Sequence, residues 1–296
     1  MKKIIISLVF IAFLITGIAQ NDDSYTRSIN DWHKARIAEL KTPSSWLNLE
    51  GLFWLHKGAN TIGKSKGNDC RYDNIQFPDQ LGKFMYAGDS VMWVNDPKYS
   101  IRINGNVING TKPVKVFSKK EENIIMSWSH FSWAVIKRED KMGIRFRNLE
   151  AKTLKEFKTI NRFPVDSMWR IKATVLAPVK SLLMITNVLG QTTALKSAGK
   201  LLFSYEDKEY TLDVIDEGGP SLFIVFADQT AGESTYAAGR FIDIPKPDAS
   251  GNTVIDFNKA YNPPCVFTPF ATCPLPPAQN RLKLSITAGE KNYGHH

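Results

Sequence analysis

The chain is 296 residues long, 43% of them hydrophobic and 23% charged, with 38 Lys and Arg against 29 Asp and Glu for a formal net charge of +9. The apolar share is enough for a core, which excludes a disordered tail, and the length suits one large or two ordinary domains. The basic excess is spread along the chain (Lys152, Lys155, Lys158, Lys196, Lys200) and never condenses into an Arg-rich run, which argues against a nucleic-acid partner.

Met1-Lys2-Lys3, the apolar run from Ile4 to Ile18 and the small residues Gly17 and Ala19 read as a secretory signal peptide over residues 1–19, with Gln20 as the new N-terminus. The run is shorter than the ~20 residues of a spanning helix, and polar Asn21-Asp22-Asp23 follows at once. The expectation is an exported protein, periplasmic or secreted, with no membrane span after cleavage.

Ser24 to Lys41 then places Tyr25, Ile29, Trp32, Ile37 and Leu40 on one face of a helix that Pro43 ends. Strands follow: Trp46 to Leu49, Gly51 to Leu55, Ser90 to Val94, Ser100 to Ile103 before the turn Asn104-Gly105, then Ile124 to Trp128, Phe131 to Lys137 and Met142 to Phe146. Lys152 to Thr159 reads as a short helix. Strands resume at Arg170 to Ala177, Leu182 to Val188, Thr192 to Ser197, Lys200 to Tyr205, Glu209 to Val214, Leu222 to Ala227 and Arg240 to Ile244. Runs of this length spaced by Gly, Asn and Asp predict a mainly β, antiparallel protein. The rhythm breaks near Glu150 to Asn161. That divides an N-terminal helix and β-sandwich, residues 20–150, from a second antiparallel barrel or sandwich, residues 151–296, closed by a Pro-rich segment.

Gly58-Ala59-Asn60-Thr61-Ile62-Gly63-Lys64-Ser65 matches the phosphate-binding P-loop pattern. That loop works only between a buried strand and a helix N-terminus. Lys66-Gly67-Asn68-Asp69 is a turn with no apolar helical period, so the match is a coincidence of letters. Asn60 to Gly63, Gly67 to Asp69 and Ile103 to Ile108 instead resemble the framework of forkhead-associated domains, which implies a β-sandwich. The family's phosphothreonine-reading residues are not carried over: Lys64 stands at the arginine position, and no Ser-x-x-His occurs in Asp79 to Tyr86.

The chain also resembles an uncharacterised, mostly bacterial family, domain-of-unknown-function family 1684. The resemblance rests on Gly51 to Leu55, Phe226 to Arg240, Asp256-Phe257-Asn258, Asn262-Pro263-Pro264-Cys265, Cys273 to Pro277 and Ala288-Gly289-Glu290. It implies no activity.

Asp228, Thr230, Glu233, Tyr236 and Arg240 lie in one loop after an apolar strand, and Asn258, Asn262 and Arg281 lie in the C-terminal block. Rigid scaffolds present sites on such loops. Together they are candidates for a cleft, built by the 228–240 loop and the 256–290 block, that binds a small polar or anionic ligand through an arginine clamp. A second reading is a hydrolase with Asp228 or Glu233 and Asp256 as acid and base. A third is structural: Asp, Asn and Arg satisfy backbone groups that Pro-rich segments leave without ladder partners, Arg281 pairing with Asp256 or Glu290. Cys265 and Cys273, close together in the Pro-rich block, are expected to form a disulfide, with a reactive thiol pair as the alternative and Cys70 as a buried thiol. His33, His56 and His130 read as packed imidazoles. No zinc ligand set, nucleophile elbow or redox Cys-x-x-Cys occurs, so neither metal nor cofactor is expected.

Overall fold

The computed structural model describes residues 23–118 and 124–294; residues 1–19, expected to be a signal peptide, lie outside them. The chain is mainly β and divides into two compact units. One comprises residues 41–157 with 268–271. The other comprises 158–267 and 272–294 together with the first helix, α1, residues 23–40.

In the first unit the strands are β1 (Leu49–Trp54), β2 (Gly58–Gly63), β3 (Cys70–Arg71), β4 (Gly82–Ala87), β5 (Ser90–Asn95), β6 (Ile101–Ile103), β7 (Asn106–Ile108), β8 (Val114–Phe117), β9 (Ile125–Trp128), β10 (Phe131–Arg138) and β11 (Lys141–Asn148). They form a six-stranded sheet, β1-β11-β10-β9-β6-β7, and a five-stranded sheet, β3-β2-β4-β5-β8. Side chains alternate across a strand, so Phe131, Trp133 and Val135 of β10 turn inward while Ser132, Ala134 and Ile136 turn outward. The inward set meets Phe84, Val91 and Trp93 of the other sheet in one core, with the Trp93 and Trp133 rings 5.8 Å apart. Asn104 and Gly105 both have positive φ, the conformation a tight β6–β7 hairpin needs.

The P-loop-like letters form β2, paired antiparallel with β4, followed by a turn. Its Gly63 answers to packing: a Cβ there would lie 2.1 Å from the Asp79 carbonyl oxygen. A short helix, α2 (Lys152–Glu156), follows β11.

The second unit carries β12 (Arg170–Leu176), β13 (Leu182–Thr186), β14 (Thr192–Tyr205), β15 (Lys208–Ile215), β16 (Ser221–Phe226), β17 (Arg240–Pro245) and β18 (Asn252–Asp256). Their order is β17-β16-β15-β14-β12-β18, and Thr253 Oγ1 donates to the Pro245 carbonyl at 2.8 Å, bringing β18 back to β17 in a nearly closed barrel. Phe203, Leu212, Ile224, Phe226, Ile242, Ile255 and Phe257 fill its interior. β14 is one long strand where the sequence suggested two. Its register shifts between Ser197 and Gly199, and the bulge needs glycine: Gly199 has φ +119°, with the Leu176 carbonyl 1.9 Å from a would-be Cβ. The first half of β14 pairs with β13 as a hairpin beyond the barrel.

The helix α1, grouped by sequence with the sandwich, makes its contacts in this second unit. Tyr25 Oη donates to Asp256 Oδ1 at 2.8 Å, and Arg36 Nη2 donates to the Asn262 carbonyl at 3.2 Å. Its apolar face buries Ile29 and Leu40 completely or nearly so.

Candidate functional site

Strand β16 ends at Phe226 and delivers Asp228 into a tight loop that β17 closes with Arg240. Within the loop the Thr230 carbonyl accepts from the amides of Glu233, Ser234 and Thr235. Gly239, at φ +97°, passes so close to the Phe226 carbonyl that a Cβ would lie 2.5 Å from it.

Both key side chains point inward. Asp228 accepts from Thr230 Oγ1 at 2.9 Å, from the Ile286 amide at 2.7 Å and from Arg240 Nη2 at 3.2 Å. Arg240 donates further to the carbonyls of Ile286, Ala288 and Glu290. Burial pulls its guanidinium below the usual range, and Asp228 opposes that pull. Thr230 and Thr235 hydroxyls meet at 2.9 Å.

The C-terminal block is tied in the same way. Asn280 donates to the Asp213 and Val225 carbonyls and accepts from the Asp213 amide. Glu290 accepts from the Asn262 amide at 2.7 Å and lies 3.5 Å from Arg36 Nε. Burial holds the Glu290 carboxyl above its ordinary range, with Arg36 opposing. Asn262 Nδ2 donates to the Lys291 carbonyl, and Asn258 links Tyr25, Asp166 and Asp256.

The predicted residues therefore come together only in part. Asp228, Thr230 and Arg240 form one buried network with segment 286–290, and Asn258 and Asp256 form another around Tyr25. Asn262 joins Glu290 and Arg36. Glu233 and Arg281 are exposed and Tyr236 is half-buried. The arginines that meet the acidic groups are Arg240 and Arg36, where the sequence suggested Arg281. Arg36 carries no signal in the sequence, since a single arginine in an amphipathic helix looks like solvation.

The expected Cys265–Cys273 disulfide is not formed. The two residues are adjacent as thiols, with the Cys265 amide donating to the Cys273 sulfur at 3.0 Å. Cys70 is a buried thiol in the sandwich core, pushed up to about 12 by burial.

A different place in the structure has the shape of a binding site. On the outer face of the sandwich unit's six-stranded sheet is a cavity of about 450 Å³, lined by Ile125, Ser127, Ser132, Ala134, Arg145 and Arg147 among others. Register builds its floor in two rows. Ser127, Ser132 and Arg147 are cross-strand neighbours, as are Ile125, Ala134 and Arg145. Trp46 stacks near both guanidinium groups, at 4.9 Å from Arg145 Cζ and 5.9 Å from Arg147 Cζ. Arg147 is tied to the Ser45 carbonyl and to Asn48 Oδ1, and burial pulls it below the usual guanidinium range. None of these residues was singled out by sequence, since three separate strands contribute them.

Among the described residues no cluster of three or more His, Cys, Asp or Glu is placed to hold a metal ion. No described helix is long and apolar enough to cross a membrane.

Residues 155–291 match the family described as "Protein of unknown function (DUF1684)", so the second part of the chain is similar to an uncharacterised family. The match stops short of Gly51 to Leu55, which the resemblance had included. No curated protein matches the chain. A solution structure of an uncharacterised Haloarcula marismortui protein, from gene locus rrnAC0354, is 27% identical over 46% of this chain and 78% of its own, at TM-score 0.39. A crystal structure of Rad53 residues 1–466 with AMP-PNP aligns over 71% of this chain and 47% of its own, with 10% identity and TM-score 0.21. At these TM-scores neither likeness bears on the fold.

Proposed function

We propose that the protein binds a small anionic ligand with an apolar body in the cavity over β9, β10 and β11. The observation that carries this reading is the register of the floor: a hydroxyl–hydroxyl–guanidinium row beside an apolar–apolar–guanidinium row. The first suits a carboxylate or phosphate, which arginine meets in a planar, two-pronged way. The second suits a short hydrocarbon or ring. The volume falls within the range of small-molecule pockets.

The polar residues first considered for this role spend their hydrogen bonds on the protein itself. Asp228, Arg240 and Asn262 support bracing of the 286–291 segment, and the hydrolase reading lacks an assembled carboxylate pair. Asp228 is committed to Arg240 and Ile286, Asp256 to Tyr25 and Asn258, and Glu233 is exposed.

A thermal-shift and calorimetric screen of inorganic phosphate, phenyl phosphate, acetate and hexanoate tests the proposal. Phenyl phosphate or hexanoate should stabilise the chain. Arg145→Gln should weaken that binding about tenfold, the loss of one charge-assisted contact, with the fold intact by circular dichroism. Equal binding by Arg145→Gln, or no response to any of the four, rejects the site.

Export to the periplasm or beyond is the companion proposal. It is supported by the basic and apolar run of residues 1–19 and tested by whether the mature protein begins at Gln20.

A further inference from the structure

Cys265 opens onto Cys273 from a 3-10 turn, Pro264–Val266, and its amide donates to the Cys273 sulfur at 3.0 Å. The two thiols differ in access: Cys265 is half-buried, Cys273 buried. The main chain fixes the deeper one. The Cys273 carbonyl accepts from the Val188 amide at 3.0 Å, and the Leu275 amide donates to the Thr186 carbonyl at 2.8 Å, so the β13–β14 hairpin sets its position. Pro263 and Pro264 on one side, and Pro274, Pro276 and Pro277 on the other, stiffen both approaches.

Their chemistry differs from that of Cys70. Hydrogen bonding with Cys273 first, and with backbone amides after it, holds the Cys265 thiol below the ordinary range despite its burial. Cys70, deep in an apolar core, is shifted the other way and is inert as a nucleophile. Burial holds the Tyr236 hydroxyl above its ordinary range, and the nearby Cys265 and Cys273 sulfurs add to that.

We propose that Cys265 and Cys273 form a thiol–disulfide exchange site, Cys265 attacking and Cys273 resolving, whose substrate class is an accessible disulfide. The Cys265 thiolate attacks one sulfur of R–S–S–R; that S–S bond breaks, a mixed disulfide forms, and R–S⁻ leaves and takes up a proton. Cys273, deprotonated with the Cys265 amide donating to its sulfur, then attacks the Cys265 sulfur of the mixed disulfide. The second R–S⁻ leaves, and two electrons have passed from the dithiol to the substrate. The product is the bridge expected from the sequence, now one state of a cycle.

The test uses the full chain, reduced and then treated with glutathione disulfide, with products followed by mass spectrometry. The wild type should pass to an internal Cys265–Cys273 bridge with no glutathione retained. Cys273→Ser should stop as a mixed disulfide on Cys265. Cys265→Ser should react at least about tenfold more slowly, as expected for a buried thiol. Should either variant misfold, iodoacetamide competition on the unaltered chain serves instead: Cys265 should be labelled first, well ahead of Cys273 and Cys70. Cys265→Ser reacting as fast as wild type, glutathione retained by the wild type, Cys273 labelled first, or a bridge that dithiothreitol cannot reduce in the folded chain would each overturn the proposal.

Discussion

Asp228 and Arg240, twelve residues apart, form an ion pair at 3.2 Å in which each side chain is 1% exposed. A pair so dry is held by its remaining partners: Asp228 by Thr230 and Ile286, Arg240 by three carbonyls of the 286–290 segment. Removing one partner strands the other charge. Arg240→Met should therefore cost about 3–5 kcal/mol, and the double variant Arg240→Met/Asp228→Asn should cost less than the sum of the singles. Urea denaturation followed by circular dichroism measures both. A single-variant cost within experimental error would show that the pair is not a brace.

The helix α1 hangs on fewer bonds. Tyr25 Oη donates to Asp256 and accepts from Asn258, and both bonds vanish in Tyr25→Phe while the ring stays. The expected cost is about 1–2 kcal/mol. Hydrogen exchange should quicken across residues 23–40 more than in β14 or β15. Uniform acceleration would mean that the helix does not open on its own.

Stability near neutral pH should carry a histidine contribution. Burial, with Arg162 and Arg36 nearby, holds the His33 imidazole below its ordinary value, the Ile160 backbone opposing in part. A lowered base binds its proton more readily when unfolded, so this contribution is present above the unfolded value of 6.5 and is lost as pH falls from there through the lower folded value. Glu290 works in the opposite sense: its carboxyl is held high, so protonation favours the fold as pH approaches that range. The measurement is thus a difference. Between pH 8 and 5, His33→Gln should show a shallower fall in stability than wild type, and parallel curves would count against the assignment.

Two glycines separate backbone strain from crowding. Gly232 and Gly239 share positive φ, but a Cβ at Gly232 meets only Ala237 at 3.8 Å, whereas at Gly239 it strikes the Phe226 carbonyl at 2.5 Å and Pro276 at 2.6 Å. Gly232→Ala should cost about 1–2 kcal/mol, the left-handed penalty alone. Gly239→Ala should cost distinctly more and shift Asp228 and Arg240 with it. Equal losses in thermal melts would mean the loop relaxes around the added methyl.

Strands whose alternation is clean, such as β5 and β10, were legible as letters. Others were not. β2 was hidden by a nucleotide-binding pattern, β4 has only Phe84 fully buried among its apolar residues, and Gly199 made one long strand look like two. The polar cluster was legible as a cluster and illegible as a role. What occupies Arg240 is the carbonyl oxygen of residues 286, 288 and 290, and a carbonyl has no letter. The Ser127–Ser132–Arg147 row was out of reach for a related reason, since it exists only once the strands are in register.

The attachment of α1 has a consequence for biosynthesis. Tyr25 finds Asn258 across 233 residues of chain. At the usual 5–20 residues per second, the helix leaves the ribosome roughly 10–50 seconds before its partners exist. During that interval Ile29 and Leu40 lack the surface they cover in the finished fold, so the nascent chain displays an amphipathic face that the folded protein buries.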